Sequence, residues 1–474
     1  MERMLLAVKA LGIALAFIAP SAAADPGVPA PPTPVQVEAP RPPGPPAAIE
    51  AVLDPAPVVE NLLVQDHRGR GVVARVYARS GDRTLALLPD GQLGFPDRLV
   101  PTPEPFVAAT PESMSRDLAE GAFAKFKITP SPHYLVASQG SARFTADSVK
   151  LLEDLYEGLT KALKVSGVAI RPPEFPLVAI IFQTERDFRA YKEVAPEIQA
   201  YYEIFTNRIY LYETSENDQD SPEISALRRP QTVAHEGAHQ VLQNIGVQPR
   251  LAPWPPWLIE GLAEFCSPPA VRRGGPGWAG LGKVNPLHMA TIRDLADKPA
   301  LAVRGQPKAR VGRDPAMPMA AYLITRTELT PTDYALAWGL THYLASRRHD
   351  EFLAYLRMMG KLEPLQALTP DDQLAAFRVM FGYDLTKMDR AVSAHLGKLK
   401  VVDTLPYYAV ILEQQVGQGH LRRAALVSQS PSIIRQWVEA AQAPPAAPFR
   451  WHALPHPTRT RALQAAEAWI QGWQ

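Results

Sequence analysis

Hydrophobic positions change their period several times along the chain, and each change marks a different kind of element. From 58 to 104, short apolar runs at 62–65, 72–78 and 84–88 alternate with Arg68-Gly-Arg-Gly71, Ser80-Gly-Asp82 and Pro89-Asp-Gly91. Gly and Asp at those breaks supply what tight turns need, so the spacing predicts a small antiparallel β module of three or four strands. Residues 133–137 then read as a strand. Val149, Leu152, Tyr156, Leu159 and Leu163 recur at 3-4-3-4 after Thr145, the stripe of an amphipathic helix of about five turns. Residues 176–183 form an apolar strand, and 200–205 with 208–213 read as a hairpin about Thr206-Asn207.

The next helical stretch, residues 231–242, contains His235-Glu236-Gly-Ala-His239. Pro230 suits the first position of that helix, where its missing N–H costs nothing, and Gly246 suits its stop. Residues four apart share a helix face, with Cβ atoms about 5–6 Å apart. Two imidazoles at that spacing can bind one metal ion, and the Glu between them can reach the metal's water. Thr232 and Leu242 share the histidine face, whereas Val233, Gly237, Val241 and Asn244 point elsewhere. Gly237 is a poor helix former, by about 1 kcal/mol against Ala, which close packing of the next element would explain.

Helical segments follow at 256–266, 286–296, 333–347, 349–360 and 370–397, with a Pro- and Gly-rich loop at 267–285. Residues 401–474 lean to helix, with a Pro-rich break at 444–455. Strands and one long helix before the motif, and mostly helices after it, predict an α+β fold in which a sheet lobe leads into a helical lobe.

Composition adds an export expectation. Arg3 and Lys9, the apolar run 10–19 and Ser21-Ala22-Ala23-Ala24 read as a secretory signal over 1–24, too short for the ~20 residues that span a bilayer. No Cys follows the run, so the usual lipid attachment site is absent. No later segment is long and apolar enough to span, so no integral membrane segment is expected after signal removal. The chain has 49 prolines, about twice average usage. Twelve of them fall within 25–57, a composition that favours extended linkers and cannot bury a core. A net charge of +1 with interspersed signs excludes the basic stripe of a nucleic-acid or anionic-membrane binder. The single cysteine, Cys266, excludes an intrachain disulfide and a Cys-based zinc site.

A third metal ligand decides the class of site. The pattern His-Glu-x-x-His-x-x-Gly-x-x-His fails, because Leu242 and Ile245 stand at its last two fixed positions. A carboxylate from the next helix is the alternative. Pro255-Pro-Trp257-Leu-Ile-Glu260-Gly-Leu-Ala-Glu264-Phe supplies one, with 20 residues between His239 and Glu260. Glu260 and Glu264 are four apart and face one direction. Glu260 would complete a His₂Glu site with a position open for water, as catalytic zinc requires. Glu264 would accept a hydrogen bond from a ligand histidine's second N–H.

His-Glu-x-x-His followed by Trp-Leu-x-Glu-Gly-x-Ala resembles the gluzincin metallopeptidases, the clan of thermolysin and aminopeptidase N. More closely, the chain is similar to exported bacterial proteins with a peptidase-MA-like domain of unknown function. The resemblance spans roughly 105–400 and is carried by the two motif helices. It implies a zincin-like catalytic domain and a Zn²⁺ held by His235, His239 and Glu260. It also implies Glu264 in the thermolysin-like Glu-x-x-x-Asp position, with Glu replacing Asp. Such enzymes stabilise the oxyanion with a tyrosine from a later helix. The positional match in Asp333-Tyr334-Ala-Leu-Ala-Trp338-Gly-Leu-Thr341-His342 is Tyr334, 74 residues after Glu260. Tyr334, Trp338 and Thr341 share a face, a spacing that core aromatics have equally. His342 reads as a satisfied structural histidine.

The amino-terminus-anchoring Gly-x-Met-Glu-Asn of aminopeptidases is absent. An endopeptidase cleft is therefore expected, with a peptide or protein substrate paired along the strand 208–212. The expected organisation is a signal peptide (1–24), a Pro-rich linker (25–57), a β module (58–104), a gluzincin-like metallopeptidase domain (105–400) and a helical C-terminal extension (401–474). The expected activity is zinc-dependent peptide hydrolysis in the periplasm or outside the cell, with Glu236 as general base. The rival is a non-catalytic envelope binding or scaffold protein that retains the zincin fold, in which Glu236 has no chemical task.

Overall fold

In the computed structural model, the apolar residues 177–182 lie mid-sheet and are buried on both faces, which is why they run without polar alternation. Leu177, Ala179 and Ile181 enter one core cluster, and Val178, Ile180 and Phe182 enter another on the opposite face. The structure describes residues 60–81, 83–195, 198–215, 222–272, 275–296, 316–401, 405–416, 420–442 and 449–472. The expected signal (1–24) and Pro-rich linker (25–57) lie outside the described residues.

Strands β1 (Asn61–Gln65), β2 (Gly71–Ser80), β3 (Arg83–Leu87), β4 (Leu93–Gly94) and β5 (Val100–Pro101) form an antiparallel sheet ordered β4-β3-β2-β1-β5. The sheet has five strands rather than three or four. The extra two are two-residue edge strands, too short to show a hydrophobic period. Tyr77 and Arg250 tie this sheet to the next region: the Tyr77 hydroxyl donates to Arg250 O (3.0 Å), and Arg250 Nη1 donates to Gly91 O (2.9 Å).

Next come α1 (Pro111–Glu120), β6 (Lys127–Pro130), β7 (Tyr134–Ser138), α2 (Ala142–Val165), β8 (Leu177–Thr184), α3 (Glu185–Tyr191), β9 (Ala200–Glu203) and β10 (Arg208–Thr214). Their sheet runs β6-β7-β8-β10-β9, with β7, β8 and β10 parallel and the two outer strands antiparallel. The strand expected to receive a peptide, 208–212, is thus interior, and β9 forms the edge. Alternation of Ile, Leu and Tyr reports burial; it carries no information on strand order.

Helix α4 (Pro222–Asn244) starts eight residues before Pro230, which therefore stands inside the helix rather than at its start. An interior Pro forfeits one backbone hydrogen bond. The added turns bury Ile224 and Leu227 in a core shared with the C-terminal region, a gain no local pattern announces. Helix α5 (Pro256–Cys266) follows. Strands β11 (Pro269–Arg272) and β12 (Gly275–Trp278) form an antiparallel ribbon within the span expected as loop. Then come α6 (Pro286–Ala296), α7 (Met319–Ile324), α8 (Pro331–Arg347), α9 (His349–Met359), α10 (Pro370–Phe381) and α11 (Leu385–Leu396). The single helix expected over 370–397 is two, because Gly382 breaks it at φ 101°.

The C-terminal region departs most from expectation. It is not a helical extension: β13 (Tyr407–Val416), β14 (His420–Ser428), α12 (Pro431–Gln442), β15 (Phe449–His456) and α13 (Arg459–Ile470) build an antiparallel sheet ordered β14-β13-β15 with two helices. Val410 and Leu412 pack with α4, α6 and α12, whereas Ala409 packs with Ala462 and Ala466 of α13. A strand buried on both faces loses the alternation that would have marked it. The whole is a mixed α+β structure with several sheets and thirteen helices among the described residues. No described helix is long and apolar enough to cross a membrane.

His342 of α8 and His395 of α11 are both buried, with His342 Nδ1 2.9 Å from His395 Nε2. Arg347 Nε donates to His395 Nδ1 (3.2 Å), so His395 holds its proton on Nε2 and donates to His342. Burial, then His395, pushes His342 down to about 4; burial, then Arg347 and Lys398, lowers His395. Below the unfolded value near 6.5, the unfolded chain takes up protons that the folded pair refuses. This contribution to stability is present above about pH 6.5 and falls as pH drops toward 4. Between pH 7 and 5 the protein should lose about 1–2 kcal/mol at this pair, allowing for solvent screening. Urea midpoints of wild type and His342→Gln at the two pH values measure it, and an identical pH response in both would refute it.

Candidate metal centre

The two motif helices present their polar faces to one cavity because their other faces are committed to the core. Val233, Ala234, Ala238, Val241 and Leu242 of α4 are buried in the main cluster. Gly237 lets α2 approach closely, since a Cβ there would stand 2.8 Å from Leu155 Cδ2 and 2.9 Å from Leu152 Cδ2. The helix that closes in is the one before the motif, not the one after it. Gln240 Nε2 donates to Val178 O (3.0 Å) and Asn207 O (2.8 Å), pinning α4 to the sheet. Gly246, at φ 85°, ends the turn beyond the helix. On α5, Trp257 and Leu258 are buried, and Gly261 lies against the backbone of Ala337 in α8.

His235 Nε2 lies 3.0 Å from His239 Nε2 and 3.1 Å from Glu260 Oε2, and His239 Nε2 lies 3.6 Å from the same oxygen. Among the described residues these three form the one group whose donor atoms could share a metal. The fit is testable from the spacing. Tetrahedral bonds of about 2.0–2.1 Å set ligand atoms about 3.3 Å apart, and the three separations bracket that edge. Two imidazole nitrogens and one carboxylate oxygen are also the donor set of a catalytic zinc with one open position. The residues fit the ion.

Charge is arranged around this point. Burial alone would raise Glu260, but His239 and His235 hold it down to about 2. Burial would likewise raise Glu264, yet His288 and His235 keep it well below the carboxylate range. Glu264 Oε2 accepts from Gln231 Nε2 (2.7 Å) and lies 2.8 Å from His288 Nε2. Its Oε1 is 3.2 Å from His235 Nδ1, outside hydrogen-bond geometry. For His235, burial favours the neutral ring, and the Glu264 and Glu260 carboxylates outweigh it. Glu236 points into the same cavity and accepts from the Tyr202 N–H of β9 (2.6 Å); burial, above all, raises it.

The sequence candidates separate here. Tyr334 lines the cavity, its ring centroid 6.4 Å from that of His235. Burial and then the charges of Glu260, Glu264 and Glu236 keep its hydroxyl protonated far above the usual range. Trp338 and Thr341 are fully buried and belong to the core, and Leu242 joins them. Thr232, the other residue on the histidine face, lines the cavity. His342 pairs with His395 instead of reaching it. Sequence reasoning missed Gln231, Tyr202 and His288. Gln231 stands one helical turn before His235, a spacing that could have shown it. His288 and Tyr202 arrive from other elements and have no local signal.

Glu260→Ala should abolish zinc retention, because it removes one of the three residues whose donor atoms could share the ion. Glu264→Ala should only weaken zinc binding, about 10–100-fold, because it removes the carboxylate that faces His235 Nδ1 at 3.2 Å but leaves His235, His239 and Glu260 in place. Zinc titration of the apo-protein against a chromophoric chelator measures both, and the reverse order would shift the ligand assignment by one helical turn.

The cavity has a volume of about 250 Å³ and is also lined by Ala200, Tyr202, Arg228, Leu287, Pro431 and Arg435. Among curated proteins nothing matches the chain. A family model described as a protein of unknown function (DUF1570) matches residues 230–366, the stretch that holds His235, Glu236, His239, Glu260, Glu264, His288 and Tyr334.

Proposed function

We propose that the protein is an exported zinc metallopeptidase of gluzincin type that cleaves within peptide chains. The observation that carries the reading is the convergence of His235, His239 and Glu260 in one cavity with Glu236 beside them. His235, His239 and Glu260 would hold a zinc ion, which would supply Lewis acidity to a scissile carbonyl and to water. Glu236 takes the proton of the attacking water as its oxygen bonds to the carbonyl carbon. It then delivers that proton to the nitrogen as the C–N bond breaks. Tyr334, kept protonated, donates to the developing oxyanion.

Strand β9 supports the endopeptidase reading. Tyr201 and Glu203 pair with β10, where Asn207 N donates to Glu203 O (2.8 Å), so Ala200 and Tyr202 turn their backbone groups outward. Tyr202 N–H serves Glu236, and Ala200 is left to pair with an extended substrate as one more strand. Main-chain pairing of this kind needs no chain end. Export rests on the signal pattern of residues 1–24. Metal analysis of the purified protein, and a peptide library digested by wild type and by Glu236→Gln, test the proposal. A purely scaffolding protein would leave both proteins equally inert.

A further inference from the structure

The C-terminal region reaches the candidate metal centre through α12. Ile434, Trp437 and Val438 share a core with Ile224 and Leu227 of α4 and Leu287 of α6. Thr332 Oγ1, at the start of α8, donates to Gln436 Oε1 (3.0 Å). Asp294 Oδ2 accepts from the backbone nitrogens of Gln429 (3.0 Å) and Ser430 (3.3 Å), fixing the chain that leads into α12. These contacts place Pro431, Ser432 and Arg435 in the wall of the cavity that holds His235 and Glu236.

Arg435 is half-buried and makes no hydrogen bond or ion pair with any described residue. A guanidinium is always charged and offers five donors in a planar fork. Withdrawing it from water without a counter-charge costs hydration and returns nothing, unless a ligand supplies the acceptor. The cavity offers none: its acidic residues are Glu236, Glu260 and Glu264, all in the metal cluster and engaged there. Arg228, seven residues before His235 on α4 and thus about 10 Å away along the axis, adds a second positive charge to the wall. Away from the metal cluster, then, both charged lining residues are arginines.

We propose that Arg435 is a specificity residue of the cleft and binds a carboxylate of the substrate, from an acidic side chain or a chain terminus, as a two-pronged hydrogen-bonded pair. The inference rests on the peptidase reading for its substrate class, and its test reads binding so that the two can fail separately. The probes are four pools of degenerate decapeptides, containing Glu or Gln and ending in a free or an amidated C terminus. Retention is measured on zinc-loaded full chain carrying Glu236→Gln, which does not consume them.

A carboxylate pool should be held about ten- to hundredfold more tightly than its neutral counterpart. The Glu/Gln arm identifies a side chain as the source, and the free/amidated arm identifies a terminus. Adding Arg435→Gln should bring the ratio to about one, Arg435→Lys should keep part of it, and Arg435→Glu should reverse it. Equal retention of all pools, retention of none, or a preference that survives Arg435→Gln would overturn the assignment. Hydrolysis by protein with Glu236 intact is scored separately. Preference without hydrolysis supports the subsite and removes the peptidase reading, and hydrolysis without preference does the opposite.

Discussion

Glu236→Gln should lower peptide hydrolysis by about 10²–10⁴-fold while leaving the zinc content unchanged. The substitution isolates proton transfer. Glutamine has the shape of glutamate, and its amide oxygen can still accept from the Tyr202 N–H that Glu236 Oε2 holds at 2.6 Å. The contacts among His235, His239 and Glu260 do not include Glu236, and α4 is pinned to the sheet through Gln240. What is lost is an atom that can take a proton from water and return it to the leaving nitrogen. The measurement is kcat/KM on a peptide recovered from the library, with zinc determined on the same samples. Equal kcat/KM in both proteins would remove Glu236 from the chemistry. Loss of zinc in the variant would make it a ligand.

Gly261→Ala is expected to destabilise the protein by about 3 kcal/mol and to disrupt the metal centre with it. A Cβ at position 261 would stand 2.7 Å from Ala337 O and 3.0 Å from Ala337 C, besides 2.5 Å from Thr341 Oγ1. Those first two atoms are helix backbone, which cannot turn aside as a side chain can. Helices α5 and α8 must separate, and they carry Glu260 and Tyr334 respectively. Gly237→Ala is the informative contrast. There the new Cβ meets only the terminal methyl carbons of Leu155 and Leu152, and the helix gains about 1 kcal/mol of propensity, so the net change should be small. Urea midpoints of the two variants, with zinc retention beside them, decide the matter. A Gly261→Ala protein as stable as wild type would show that the close approach of α5 and α8 is not required.

Much of this architecture was legible along the chain wherever an element had one buried face and an undisturbed period. The stripe from Val149 to Leu163 lies within α2, and the apolar run 177–182 is β8. Spacing of four put His235 and His239 on one helix face and Glu260 and Glu264 on another, by the geometry of 3.6 residues per turn. The pairing of Gln231 with Glu264 was half visible, since the same spacing places Gln231 beside His235.

The failures have a common cause. Residues 408–412 of β13 are covered on both faces and read as helix. Pro230 looked like a helix start because the burial of Ile224 and Leu227 against the C-terminal sheet lies outside any local window. Strand 208–212 was expected to receive a peptide because the predicted hairpin covers only one of its sides, and the parallel partner on the other, β8, is distant in the chain. By itself, then, the sequence determined which residues share a face, because that follows from local backbone geometry. Tertiary structure alone decided that the faces of α4 and α5 converge, that His288 reaches Glu264, and that Arg435 enters the same cavity, because those are contacts between elements far apart in the chain.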